Sequence, residues 1–125
     1  MTKDNPIPTD IQLHQKSRIL ELTFDNGEHF ELSCEYLRVY SPSAEVRGHG
    51  PGEEVLQVGK ADVNIDKIEQ VGNYAVILHF DDNHNTGIYS WDWLYYLGKN
   101  HDKLWQTYLD KMEKAGQKRG PTDAK

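Results

Sequence analysis

Apolar residues recur at every second position in the first third of the chain, a period that predicts strands. Leu20, Leu22 and Phe24 share one face of a run beginning at Ile19. Ile11 and Leu13 alternate in the same way before a polar break at Gln15-Lys16-Ser17. Phe30 and Leu32 repeat the pattern after Asp25-Asn26-Gly27-Glu28, where Asn-Gly supplies the positive φ values of a tight hairpin turn. A three-stranded meander is therefore expected. The period changes at Ser33, whose hydroxyl can accept from an unpaired first-turn amide and so cap a short helix with Tyr36 and Leu37 on its apolar side. Pro42 cannot continue that helix, and it biases Ser41 away from helical dihedrals.

Strand patterning returns in the second half. Val63-Asn64-Ile65-Asp66 alternates, and Ile68 to Val71 continues it after a kink. The run Tyr74 to Phe80 is nearly apolar on both faces and reads as the central strand of the sheet. Asp81-Asp82-Asn83-His84-Asn85 is the next turn, and Thr86-Gly87-Ile88-Tyr89 the returning edge. Ser90 is expected to cap a helix through Trp91, Leu94, Tyr95 and Leu97, closed by Gly98 just past its end. A second helix starts near Asn100, with Leu104, Tyr108, Leu109 and Met112 at helical spacing. The fold class is α+β: an antiparallel sheet of hairpins with short helices, the C-terminal helix packed on or trailing from the sheet. No internal repeat is visible. Residues 9–115 are expected to form a single domain between flexible ends at 1–8 and 116–125.

Composition narrows the function classes. Three Trp, seven Tyr and three Phe supply large buried areas to a chain of 125 residues. A formal net charge of −6 argues against a nucleic-acid footprint, which needs clustered Lys and Arg. No apolar run approaches the length that spans a bilayer. A single cysteine, Cys34, excludes an internal disulfide, and together these features favour a cytoplasmic protein. Cys34 lies at a helix start, yet no partner base is identifiable, so a buried and inert thiol is expected. Gly48-x-Gly50-x-Gly52 lacks the flanking strand, helix and lysine of a phosphate loop, and Glu53-Glu54 would repel phosphate.

Three stretches carry a resemblance: Leu37-Arg38-Val39-Tyr40-Ser41-Pro42-Ser43-Ala44, Val71-Gly72-Asn73-Tyr74-Ala75-Val76, and His84-Asn85-Thr86-Gly87-Ile88-Tyr89-Ser90-Trp91. In that order, behind the hairpin, the chain resembles the gamma-butyrobetaine hydroxylase-like N-terminal domain family over about residues 6 to 100. The resemblance implies a small domain that occurs alone in bacteria, at the N-terminus of 2-oxoglutarate-dependent hydroxylases, or fused to P-loop proteins of iron–sulfur cluster assembly. In the hydroxylases it implies a non-catalytic part with a structural zinc on a Cys-x-Cys-x-x-Cys turn and a later His. The catalytic jelly-roll of those enzymes would need a couple of hundred further residues.

The residues at those ligand positions are Ser41, Ser43, Val46 and His84. Serine hydroxyls stay protonated at neutral pH and valine has no donor, so one zinc ligand in four remains and no bound metal or other cofactor is expected. His84 is then expected to hydrogen-bond to Ser41 or Ser43. An alternative is an iron or zinc site built from His79, Asp81 and His84. The main expectation is a non-catalytic module, not an enzyme, that binds a protein partner, with a link to iron–sulfur assembly or metal handling implied by the resemblance. Its candidate surface is Arg38, Tyr40, Arg47, His49, Tyr89, Trp91 and Trp93, because aromatic residues and Arg anchor interfaces. The crowding of four aromatics between Trp91 and Tyr96 leaves at least one exposed.

Overall fold

The computed structural model describes residues 6–43, 46 and 56–117. Strands β1 (Pro8–His14), β2 (Ile19–Phe24) and β3 (His29–Ser33) form an antiparallel sheet in that order and lead into helix α1 (Cys34–Val39). Strands β4 (Ile65–Val71), β5 (Ala75–Phe80) and β6 (Ile88–Ser90) form a second antiparallel sheet, followed by helices α2 (Trp91–Lys99) and α3 (His101–Lys114). The class is α+β, with two small sheets where one was expected. Side chains rather than a continuous ladder join them. Gln15 donates its amide to the Ile65 carbonyl at 2.9 Å, and Asn64 donates to the Gln15 carbonyl at 2.9 Å.

The two halves share a plan of which the sequence displays little beyond a short match, Leu22-Thr23-Phe24-Asp25 against Leu78-His79-Phe80-Asp81. In each, a seven-residue strand pairs with a six-residue strand, and a turn beginning Phe-Asp leads to a third strand. That strand ends on a serine which caps a helix. The Ser33 hydroxyl accepts from the Tyr36 amide at 3.0 Å, and the Ser90 hydroxyl accepts from the Trp93 amide at 3.1 Å. The middle strands contribute Leu20, Leu22 and Phe24 from one half and Val76, Leu78 and Phe80 from the other to one shared core. Tyrosine hydroxyls tie the halves across it: Tyr36 donates to the Leu97 carbonyl at 2.7 Å, and Tyr89 to the Leu37 carbonyl at 2.6 Å. Each bond satisfies a polar group that burial would otherwise leave costly.

Other details depart from the sequence reading. The kink before Ile68 is a register shift between Ile65 and Lys67, a bulge that bends β4. Gly98 does not end α2, which runs to Lys99. A Cβ there would lie 2.4 Å from the Phe30 ring, so the glycine serves the close approach of helix and first sheet. The helix-ending glycine is Gly116 at φ +69°. It donates to Glu113 while Gln117 donates to Met112, the paired bonds of a Schellman cap on α3. At the other end, the Ile7 carbonyl accepts from the Asp25 amide at 2.9 Å and β1 starts at Pro8, so the sheet begins before the expected residue 9.

Candidate functional site at the turn after the first helix

Beyond α1 the chain turns sharply inward. The Ser41 amide donates to the Arg38 carbonyl, and Ser41 is only 1% exposed. Its hydroxyl lies 2.9 Å from His84 Nε2 and accepts from the Ser43 amide at 3.2 Å. The Ser43 hydroxyl meets the Thr86 hydroxyl at 2.7 Å, and the Val46 amide donates to the Ser43 carbonyl at 3.0 Å. Ser41, Ser43, Val46 and His84 are all buried. The four positions implied by the resemblance therefore converge, and hydrogen bonds and packing join them. Gly87 permits this approach, because a Cβ there would lie 2.4 Å from Ser41 Oγ.

His84 is delivered by the turn between β5 and β6. The Phe80 amide donates to the His84 carbonyl, and Asn83, at φ +70°, donates to the Phe80 carbonyl. Asp82 accepts from the His84 amide through Oδ1 at 3.3 Å. Its Oδ2 takes Arg38 Nε at 2.9 Å and Lys60 Nζ at 2.6 Å. Burial alone would push the Asp82 carboxyl upward, but the bonds and charges of Lys60 and Arg38 outweigh it and hold the group below its ordinary value. A second Arg38 nitrogen reaches Gln57 Oε1 at 2.9 Å. Chemically, the cluster locks the α1 turn to the β5–β6 connection. A serine at hydrogen-bonding distance from a histidine is the geometry of an activated nucleophile. Here, however, the pair is buried and the hydroxyl is already engaged by a backbone amide.

The remaining candidates separate into groups. His79 pairs with Glu69 at 2.9 Å, Asp81 accepts from the Asn64 amide at 3.1 Å, and His84 turns to Ser41. Their ligand atoms do not all lie within 4.8 Å of one another, so the three do not assemble the alternative metal site. The geometric reason is alternation: β5 turns His79 to the sheet face opposite the core while the following turn carries His84 inward. Cys34 is buried, and burial pushes its thiol up to about 11, in keeping with an inert residue.

Of the expected surface, Arg38 and Tyr89 drop out, because both are buried, Arg38 by its ion pair with Asp82 and Tyr89 by the core. Arg47 and His49 lie outside the described residues. Tyr40, Trp91 and Trp93 are half-buried. Trp93 donates its indole N–H to the Tyr40 carbonyl at 3.0 Å and stacks on Tyr96 with centroids 5.3 Å apart and planes 18° from parallel. Tyr96 is 44% exposed. Trp91 belongs to a different neighbourhood, donating to the Asn73 carbonyl beside the exposed Tyr74. The aromatic crowding along α2 signalled an exposed member, and the structure identifies it as Tyr96.

Comparison with known proteins bears on this arrangement. Residues 11–95 match the family model described as gamma-butyrobetaine hydroxylase-like, N-terminal. The chain is similar to a protein solved by NMR at 52% identity and a TM-score of 0.81, covering all of this chain and 97% of that one. A second NMR structure shares 44% identity at a TM-score of 0.82, covering 95% of this chain and 94% of that one. A crystal structure from Acidithiobacillus ferrooxidans, a protein of unknown function in the DUF971 family, shares 36% identity at a TM-score of 0.62, covering 73% and 91%. Among curated proteins nothing matches the chain.

Proposed function

The chain belongs to the gamma-butyrobetaine hydroxylase-like N-terminal family, and from that premise we propose that it is a non-catalytic accessory module that docks a protein partner. The observation that carries this reading is the Trp93–Tyr96 stack on α2, next to Tyr40, with one part of the Tyr96 ring exposed to solvent. Rigid aromatic surfaces bury much area at small entropic cost, which is why they anchor interfaces. Supporting it, the groups best suited to chemistry are withdrawn from the surface: Ser41 is 1% and His84 4% exposed, and the Cys34 thiol is raised by burial. No helix among the described residues is long and apolar enough to cross a membrane. The fusions implied by the family resemblance favour the reading that the partner belongs to iron–sulfur assembly or metal handling in a cytoplasmic setting.

The test compares the wild type with Tyr96→Ala as immobilised baits in extract of the source cells, followed by titration of each purified captured protein. Tyr96 is exposed, so its truncation leaves the fold intact. At least one captured protein should bind the wild type directly and lose about tenfold or more in affinity with Tyr96→Ala. Equal binding to both baits would overturn the assignment of this surface.

A further inference from the structure

The outer face of the first sheet carries a cluster that the docking reading leaves unused. On β2, Glu21 points away from the core, directly opposite Glu31 of β3, and its neighbour across β1 is Gln12. His29 Nε2 lies 2.9 Å from Glu21 Oε2 and 3.8 Å from Glu31 Oε2. His14 Nε2 lies 2.7 Å from the other oxygen, Glu21 Oε1. His29 Nδ1 is 3.0 Å from the Thr23 hydroxyl. Ligand atoms of Glu21, His29 and Glu31 all fall within 4.8 Å of one another, the one such group of three among the described residues.

Three features favour a cation here. Two carboxylates directly opposite on neighbouring strands repel, and a positive charge between them removes that cost. Ligand atoms around a tetrahedral ion at the usual zinc bond lengths are about 3.4 Å apart, and the 2.9 and 3.8 Å separations bracket that value. A hydroxyl can donate or accept, so Thr23 can accept a hydrogen bond from His29 Nδ1–H, leaving Nε2 to bind an ion that displaces the proton it now shares with Glu21. This outer-shell bond fixes the ring as a metal-binding histidine requires.

We propose that Glu21, His29 and Glu31 form a surface site for a divalent transition ion of the zinc class, with His14 as a positioning residue that holds the second Glu21 oxygen. Mixed imidazole and carboxylate donors suit zinc or cobalt, whereas magnesium prefers oxygen ligands and retains its waters. The site is solvent-facing: His29 and His14 side chains are each 44% exposed and Glu31 is 64% exposed. Entry needs no opening of the fold.

The experiment uses the full chain without an affinity tag, stripped of metal by chelator and titrated calorimetrically with zinc chloride and, separately, magnesium chloride. One zinc ion per chain should bind with micromolar affinity, and magnesium should not compete. Cobalt should give visible absorption of a low-coordinate ion. His29→Ala should abolish the cobalt band and lower zinc affinity about a hundredfold. Glu31→Gln, at an exposed position that tolerates change, should weaken zinc at least tenfold. His14→Ala should weaken zinc about tenfold while leaving the cobalt band in place. Failure to saturate at millimolar zinc, or binding unaltered by both His29→Ala and Glu31→Gln, would overturn the assignment. The outcome is independent of Tyr96→Ala and the docking surface.

Discussion

The two hairpin turns of this molecule are built alike and end differently. In the first, the Phe24 amide donates to Glu28, Gly27 donates to Phe24, and Asn26 Oδ1 accepts from the Glu28 amide. In the second, Phe80, His84, Asn83 and Asp82 repeat each of those bonds. Asp25 exchanges two bonds with Ile7, as Asp81 does with Asn64. The backbone at the fourth position is left-handed in both, at φ +89° for Gly27 and +70° for Asn83. Yet Glu28 closes its turn half-exposed, bonded to Lys99, while His84 closes the other under Ser41. Local backbone chemistry sets the turn. What the rest of the chain lays over it decides whether the closing side chain is structural or free for surface chemistry.

The largest break in this comparison should come from Gly87→Ala. Its Cβ would enter the space of Ser41 Oγ and forces the α1 turn away from His84. A loss of about 3 kcal/mol is expected in denaturant unfolding. Next is the pair at the closing position. His84→Ala leaves a void and removes the partner of a buried hydroxyl, at a cost of about 2–3 kcal/mol. Glu28→Ala should stay within about 0.5 kcal/mol, and equal effects at the two sites would show that burial is not the difference.

The turn position itself offers a finer test. Gly27→Ala meets no atom within 4 Å, so its cost is backbone alone, about 1–2 kcal/mol for a left-handed residue bearing a side chain. Asn83→Gly should change stability by no more than about 0.5 kcal/mol, since glycine accepts that conformation. The smallest expected effect is an acid limb. Because Asp82 is held below its ordinary 3.8 when folded, its contribution is complete above that value and lost as pH falls through the lower folded value. Urea midpoints measured downward from pH 5 should show this limb in the wild type and a shallower one in Asp82→Asn. At the position of Asp82 the first turn carries Asn26, which has no carboxyl group.

Much of the fold was legible in the chain because it rests on short-range rules. Period-two alternation marks the strands, and the caps at Ser33 and Ser90 follow from a hydroxyl preceding a helical run. The correspondence of the halves was hard to read, because the chain repeats only the short match Leu22-Thr23-Phe24-Asp25 against Leu78-His79-Phe80-Asp81 and the serines at 33 and 90, too little to stand out as a repeat. Backbone bonding can repeat where side chains do not. Gly98 misled for a related reason: a glycine near a helix end reads as a terminator, and only the Phe30 ring pressed against it reveals a packing role.

The candidate site divides along the same line. The residues at Ser41, Ser43, Val46 and His84 could be named from their order in the chain, and with them the poverty of metal donors. That Arg38 and Tyr89 are buried, that Tyr96 is the open ring on α2, and that His29 meets Glu21 and Glu31 required the strands and helices in place. The sequence by itself determined where the strands, turns and caps lie, since those depend on dihedral preference and hydrogen bonds between near neighbours. Only the tertiary structure decided which histidine is covered and which faces water, because burial depends on segments of the chain more than forty residues away, as Ser41 lies from His84.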